Sequence, residues 1–347
     1  MRVAQIAPLY ESVPPHLYGG TERIVSYITE ALVRRGHDVT LFAAADSNTR
    51  ARLVPGCPRA LRLDSAVIDP LAHHLAQLRH VMDRAGNFDI IHNHMDYLAL
   101  PLVAATSTPI VTTLHGRLDL PDLQAVFAAY PEAALISISD AQRRPLAQAD
   151  WRATVYHGMP TASYALGRGD GGYLAFLGRI SPEKRVESAI RVAATVGMPL
   201  KIAAKIDRVD AEYFENAIRP LLGTADVEFI GEIGGADKVR FLGDARALVF
   251  PIDWPEPFGL VMIEALACGT PVIGRRRGSV PEVVDDGVTG FVCDDDEAMI
   301  AAARRIDELD RVRCRRVFES RFSDTRMVDD YERIYAETIG GLTARSA

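Results

Sequence analysis

The sequence predicts an α/β protein built as two Rossmann-like halves, and three observations predict it. Apolar runs of strand length alternate with helical patterns along the whole chain, as expected of parallel strands covered by helices. At 347 residues the chain has the length of two domains, each large enough for its own core. Near the middle, Gly167-Arg168-Gly169-Asp170-Gly171-Gly172 interrupts the alternation and reads as a linker.

The elements follow in order. A strand over 3–7 leads to a helix over 23–35, with Ile24, Ile28, Ala31 and Leu32 on one face. Gly36-His37-Asp38 stops that helix before a strand at 39–43, and similar strands are expected at 90–93, 110–114, 134–138 and 154–157. Beyond the linker come a strand at 173–177, a helix at 185–196, a strand at 200–204, a helix at 211–222 and a strand at 227–230. Residues 248–274 then form one βαβ unit: a strand over 248–250, a loop stiffened by Pro251, Pro255 and Pro257, a helix over 260–268 and a strand over 271–273. The last amphipathic stretch, 326–339, carries Met327, Tyr331, Ile334 and Tyr335 with no strand after it. The expected organisation is a domain over 1–166, a second over 167–325, and a terminal segment over 326–347 that packs back on the first.

Composition narrows the function. No apolar run approaches membrane-spanning length, and the amino terminus enters a strand without the apolar core of a signal peptide, so a cytoplasmic protein is expected. Cys57, Cys268, Cys293 and Cys314 are scattered without Cys-x-x-Cys spacing and read as reduced thiols. The net charge is -7; residues 1–169 hold 15 basic and 15 acidic groups, the remainder 24 and 31. Neither half has the basic excess that nucleic acid requires, and a neutral first half gives no strong membrane signal.

The chemistry concentrates in 248–274. Glu256 lies in the loop before the helix and Glu264 inside it, among Val261, Met262, Ile263, Ala265 and Leu266. Such a helix is buried nearly all round, so the Glu264 carboxylate needs a partner. In the simpler reading Glu264 pairs with an arginine of its own domain and Glu256 favours the positive helix end. In the other, the unsatisfied backbone N–H groups of Phe258, Gly259, Leu260 and Val261 form an anion site for a diphosphate, Glu256 accepts from sugar hydroxyls and Glu264 from a ribose.

Other segments surround this one. Gly178-Arg179-Ile180-Ser181-Pro182-Glu183-Lys184-Arg185 follows a strand and opens a helix, with Ser181 as the expected cap and Pro182 at the first position. Arg179 and Lys184 then point into the crevice where parallel sheets bind ligands, or they form a solvated basic turn. In Pro15-His16-Leu17-Tyr18-Gly19-Gly20-Thr21-Glu22-Arg23, Gly19 and Gly20 permit close backbone approach to a ligand, or a plain turn before a helix capped by Thr21. This is not Gly-x-Gly-x-x-Gly, which counts against a nicotinamide enzyme. His115 ends a strand, and such a lone histidine is either structural or at the cleft. His92 and His94, with Asp96 nearby, raise the question of a metal; their rings are expected to point apart, so no shared ion is expected. Asp294-Asp295-Asp296 reads as a solvated loop before a helix, and Gly278 to Phe291 as two turns around a short helix.

These segments together resemble glycosyltransferase family 4, with the GT-B fold. The resemblance rests on Gly19-Gly20, His115-Gly116, Gly178-Arg179 with Lys184, Glu256-Pro257-Phe258-Gly259 with Glu264 (a Glu-x7-Glu pattern), and the Gly278–Phe291 block, which cover nearly the whole chain in order. It implies two Rossmann-like domains facing across a deep cleft. It further implies a nucleoside diphosphate sugar donor on the second domain, with Arg179 and Lys184 on the diphosphate and Glu264 on the ribose. Glu256 would contact hexose hydroxyls, the backbone from Phe258 to Val261 would hold sugar and phosphate, and His115 would reach the donor sugar. The acceptor would enter near Gly19 and Gly20. Lys205 stands where many relatives carry glycine, as a further phosphate contact or a change in the base pocket.

The resemblance implies retention of anomeric configuration. Double displacement would need a carboxylate nucleophile, and Glu256 is given a binding role, so a front-face mechanism is expected. Fixed cations and helix-terminal amides would stabilise the departing diphosphate, with no metal and no other cofactor required. A UDP-sugar is favoured, GDP-mannose next; the acceptor is open, and a homodimer is compatible with the reading. A nucleotide-sugar 2-epimerase of the same architecture and a non-catalytic sugar-nucleotide binding protein are the alternatives.

Overall fold

A computed structural model describes residues 1–17, 19–223 and 226–345. Tyr18 of the glycine loop, and Ser346 and Ala347 at the end of the last expected segment, lie outside the described residues. The chain forms two compact units, one of residues 1–160 and 323–347, the other of residues 161–322.

The first unit is built on seven parallel strands: β1 (Arg2–Ile6), β2 (Asp38–Ala44), β3 (Arg52–Cys57), β4 (Ile90–Asn93), β5 (Ile110–Thr113), β6 (Ala134–Ser137) and β7 (Trp151–Thr154), in the order β3-β2-β1-β4-β5-β6-β7. The strands β1, β2, β4, β5 and β6 are buried along nearly their whole length, polar residues such as His92, Asn93 and Thr113 included, as expected of a parallel sheet covered on both faces. The strand β3 was not expected: Pro55 and Gly56 weaken its sequence signal, and the sheet tolerates them because β3 is an edge. The other edge, β7, sits earlier than the expected 154–157 and pairs with β6 through a register shift. The helix Asp324–Arg345 belongs to this unit, with Met327, Tyr331 and Tyr335 fully buried in it.

The second unit holds six parallel strands: β8 (Leu174–Ile180), β9 (Leu200–Ile206), β10 (Val227–Gly231), β11 (Ala247–Phe250), β12 (Val272–Arg275) and β13 (Gly290–Cys293), in the order β10-β9-β8-β11-β12-β13. One core packs helices Val186–Val196 and Asp296–Arg304 against this sheet, with Val186, Ile190, Ile202, Val249, Ile273 and Met299 among its members. The helix expected over 211–222 is instead an α turn (Ala211–Tyr213), a π turn (Phe214–Ile218) and a 3-10 turn (Arg219–Gly223). Pro220 removes a donor and clashes with the preceding turn, so a regular helix cannot run through it.

Each sheet reverses its strand order once, between β1 and β4 in the first unit and between β8 and β11 in the second. Crevices at such switch points, outside the carboxyl ends of the strands, are where open parallel sheets take ligands. In the second unit the segments following β8 and β11 border that crevice. Both units are Rossmann-like, as the alternation predicted.

Candidate active site

In the second unit β8 ends in Gly178, Arg179 and Ile180, and the chain continues into a 3-10 turn, Pro182–Lys184. This corrects the expected continuous helix. Pro182 does take the first position, but the Ser181 side chain makes no cap bond, and Arg185 at φ 54° separates the turn from the helix Val186–Val196. The turn leaves the Lys184 ammonium on Glu256 Oε2, an oxygen that also accepts from Trp254 Nε1 at 3.0 Å. The ammonium lies 5.1 Å from the ring centre of Trp254 and 5.6 Å from that of Phe250, within cation–π range. Carboxylate and rings thus fix one cation at the switch point. The rings carried no signal in the sequence beyond their place beside Glu256.

The helix after β11, Leu260–Ala267, starts from Gly259 at φ 77°, where a Cβ would meet Met262 Cε at 2.8 Å. A left-handed, crowded position of this kind favours glycine. Among the described residues the amides of Gly259, Leu260 and Val261 take no hydrogen-bond partner, so the helix start keeps the donors of an anion site. Gly278, at φ 50°, allows the next loop to lie on the Glu256 backbone: Ser279 donates from its amide to Glu256 O (3.0 Å) and from its hydroxyl to Phe258 O (2.7 Å).

Glu264 is buried, as its helix predicted. Its partner is not an arginine. Lys238, from the helix Gly235–Asp244, donates to Oε1, and Tyr164 Oη donates to the same oxygen at 3.1 Å. Among the described residues Oε2 takes no hydrogen bond. Neither Lys238 nor Tyr164 is legible as a site residue in the sequence, because nothing local in 161–166 or 235–244 marks a residue that will face Glu264.

The other expected cations are engaged. Arg179 meets Glu183 at 2.5 Å, Asp207 at 3.6 Å and Asp210 at 3.7 Å, and Lys205 meets Asp207 at 3.0 Å. A phosphate at Arg179 would have to share it with these carboxylates. Gly178 is different: a Cβ there would meet nothing nearer than Phe176 Cε1 at 3.9 Å, so folding does not require glycine. Asp296, expected to be solvated, is buried beside Arg191 and Arg275, while Asp295 caps the helix Asp296–Arg304.

In the first unit Gly19, at φ 141°, precedes the helix Gly20–Arg34. That helix has no side-chain cap, so Thr21 is not the cap expected of it. His115 lies two residues beyond β5; its amide donates to Asp96 Oδ1 (2.9 Å), and its ring stacks on His157 with centres 5.4 Å apart. The rings of His92 and His94 do not diverge: their centres are 3.9 Å apart. Alternation along a strand sends positions i and i+2 to the same face. His94 Nδ1 lies 2.9 Å from His115 Nε2, and burial lowers the pKa of all four histidines, that of His115 to about 3.

Known proteins resemble this chain in sequence and in fold. Residues 165–314 match the family described as "Glycosyl transferases group 1", and residues 18–159 match "Glycosyltransferase Family 4". The phosphatidyl-myo-inositol mannosyltransferase of Mycolicibacterium smegmatis is 27% identical over 350 residues, covering 90% of this chain and 86% of that protein. The crystal structure of AviGT4, a glycosyltransferase involved in avilamycin A biosynthesis, superimposes with a TM-score of 0.73 at 25% identity, covering 98% of each chain. An Anabaena protein, HepE, in complex with UDP and glucose, superimposes with a TM-score of 0.74 at 19% identity, covering 97% of this chain and 99% of that one. Two doubly wound sheets with these matches define a glycosyltransferase of the two-domain GT-B class. Within it, the chain belongs to glycosyltransferase family 4.

Proposed function

We propose that this enzyme is a retaining hexosyltransferase that moves a hexose from a nucleoside diphosphate sugar to an acceptor hydroxyl by a front-face, metal-independent mechanism. The observation that carries the reading is Lys184, held by Glu256 beside the open helix start at Gly259, at the switch point of the second sheet. A cation and aligned amides at one place suit a departing diphosphate. On this reading Lys184 and the amides of Phe258 to Val261 take phosphate and sugar oxygens, with Gly178 giving room for close approach. Arg179 and Lys205 exchange part of their carboxylate contacts for phosphate. Glu256 and Glu264 each commit one oxygen to the protein and keep the other for a sugar and a ribose hydroxyl respectively. His115 serves the donor sugar, and the acceptor is taken near Gly19 and Gly20.

A UDP-sugar is favoured, in line with the UDP and glucose carried by the Anabaena protein; a GDP-linked mannose is next, in line with the mannosyltransferase relative. Front-face transfer, with the leaving phosphate helping to deprotonate the acceptor, avoids the need for a carboxylate nucleophile, since Glu256 is tied to Lys184 and Trp254. The test is a thermal-shift titration of wild type and Glu264→Ala with UDP, GDP, ADP and their sugar conjugates, followed by product detection. One nucleotide should raise the melting temperature of the wild type with concentration, and less so that of the variant. Stabilisation by none of them would overturn the donor assignment, and a trapped glycosyl-Glu256 adduct would overturn the front-face mechanism.

A further inference from the structure

The first strand of the first unit carries one polar side chain in its core, Gln5, fully buried. Its amide joins two rows of rings. On one side Nε2 donates to Tyr335 Oη at 3.2 Å; on the other Oε1 lies 2.7 Å from His94 Nε2. An amide oxygen has no proton to give, so His94 must donate from Nε2. Burial keeps His94 neutral, hence its Nδ1 is bare and must accept. The group it faces is His115 Nε2, at 2.9 Å. His115 is then protonated on Nε2 and bare on Nδ1, and that Nδ1 is buried with no partner among the described residues.

The other row has the same sense. Tyr335 Oη accepts from Gln5, so its own proton goes to His92 Nδ1 at 2.6 Å, and His92 donates from Nε2 to Thr113 Oγ1 at 2.7 Å. Along both rows each contact then has one donor and one acceptor, and the first row ends on the lone pair at His115 Nδ1. A satisfied buried network of this kind holds its members in one arrangement.

We propose that Gln5 and His94 are positioning residues: they hold His115 in the Nε2–H tautomer and so make its Nδ1 a hydrogen-bond acceptor for a substrate hydroxyl. The substrate half of this statement rests on the glycosyl-transfer reading; the tautomer half does not. A half-turn of the Gln5 amide would reverse every donor in the chain and turn His115 into a donor, a role suited to a phosphate or ether oxygen instead. The two assignments differ in one observable proton.

That proton is read by ring-nitrogen NMR of the full-length, 15N-histidine-labelled protein at neutral pH, without substrate. The wild type should show His115 protonated on Nε2 and bare on Nδ1. Gln5→Leu, which removes the acceptor of His94, should give His115 a mixture of tautomers and lower kcat/KM roughly tenfold, the lower end of what oriented-histidine partners cost elsewhere. A His115 proton on Nδ1 in the wild type overturns the inference, as does an unchanged His115 tautomer in Gln5→Leu. Should Gln5→Leu fail to fold, the wild-type spectrum alone decides. Should no donor support transfer while the spectrum is as expected, the glycosyl-transfer reading fails and the tautomer assignment stands.

Discussion

Lys238 and Glu264 form a part-buried ion pair within the second unit, the lysine reaching one oxygen of the buried carboxylate together with Tyr164. The pair places charge inside an otherwise apolar helix packing, and the partner is what makes that burial tolerable. Lys238→Met should therefore destabilise the protein by about 3 kcal/mol, because it leaves Glu264 buried with only a tyrosine. The double variant Lys238→Met with Glu264→Leu should regain most of that loss. Urea unfolding monitored by circular dichroism measures both; a single variant as stable as the wild type would remove the pair from the account.

Lys184 is the cation fixed at the switch point, between Glu256, Phe250 and Trp254. Lys184→Gln should lower kcat about 100-fold if the ammonium stabilises the departing diphosphate, with a much smaller effect on the melting temperature. Steady-state kinetics beside calorimetry separates the two quantities. Equal losses in activity and folding would mean a structural lysine.

Gly178 offers the converse test. Its backbone is compatible with alanine, and a Cβ would meet only an ordinary contact at 3.9 Å. Gly178→Ala should hold or raise stability by up to about 1 kcal/mol, by restricting the unfolded chain. If a donor sugar or phosphate approaches this backbone closely, the same variant raises the donor KM. A more stable, less active enzyme is the expected result.

Two sets of buried groups give stability opposite dependences on pH. His92, His94, His115 and His157 all lie below the ordinary histidine value of 6.5 because burial disfavours the charged ring. Below that value the unfolded chain takes up protons that the folded protein refuses, so stability falls as pH falls. Glu22 opposes them, its folded value lying above its unfolded one, so the four histidines set the sign of the slope below about 6.5. Chemical denaturation from pH 7.5 to 5 measures it, and a flat profile would contradict the neutral cluster.

Glu22, in the first turn of the helix Gly20–Arg34, is pushed up to about 7 from 4.5, mainly by burial and further by Glu11. Its folded value lies above its unfolded one, so the folded protein holds a proton that the unfolded chain has lost between those values. The stability this supplies is complete below about 4.5 and lost as pH rises through about 7. Glu22→Gln should therefore raise the melting temperature relative to wild type at pH 8 and change it little at pH 4.5. The difference between the two pH values is the informative quantity.

What the sequence determined by itself was the set of local patterns. Strand-length apolar runs gave the two parallel sheets, and the Glu256 to Cys268 stretch showed both a buried helix and a carboxylate in need of a partner, because periodicity and burial are written in neighbouring residues. Where local signals conflicted, the reading slipped: Pro55 and Gly56 concealed the edge strand β3, and Pro220 broke an expected helix into three short turns. Tertiary structure alone decided the pairings. Glu264 meets Lys238 and Tyr164, Lys184 settles between Glu256 and two rings, and Gln5 reaches Tyr335 from the opposite end of the chain. Each of these contacts joins side chains distant in sequence: β8 beside β11 brings Lys184 to Glu256, the helices Gly235–Asp244 and Leu260–Ala267 bring Lys238 to Glu264, and the helix Asp324–Arg345, packed on the first unit, brings Tyr335 to Gln5.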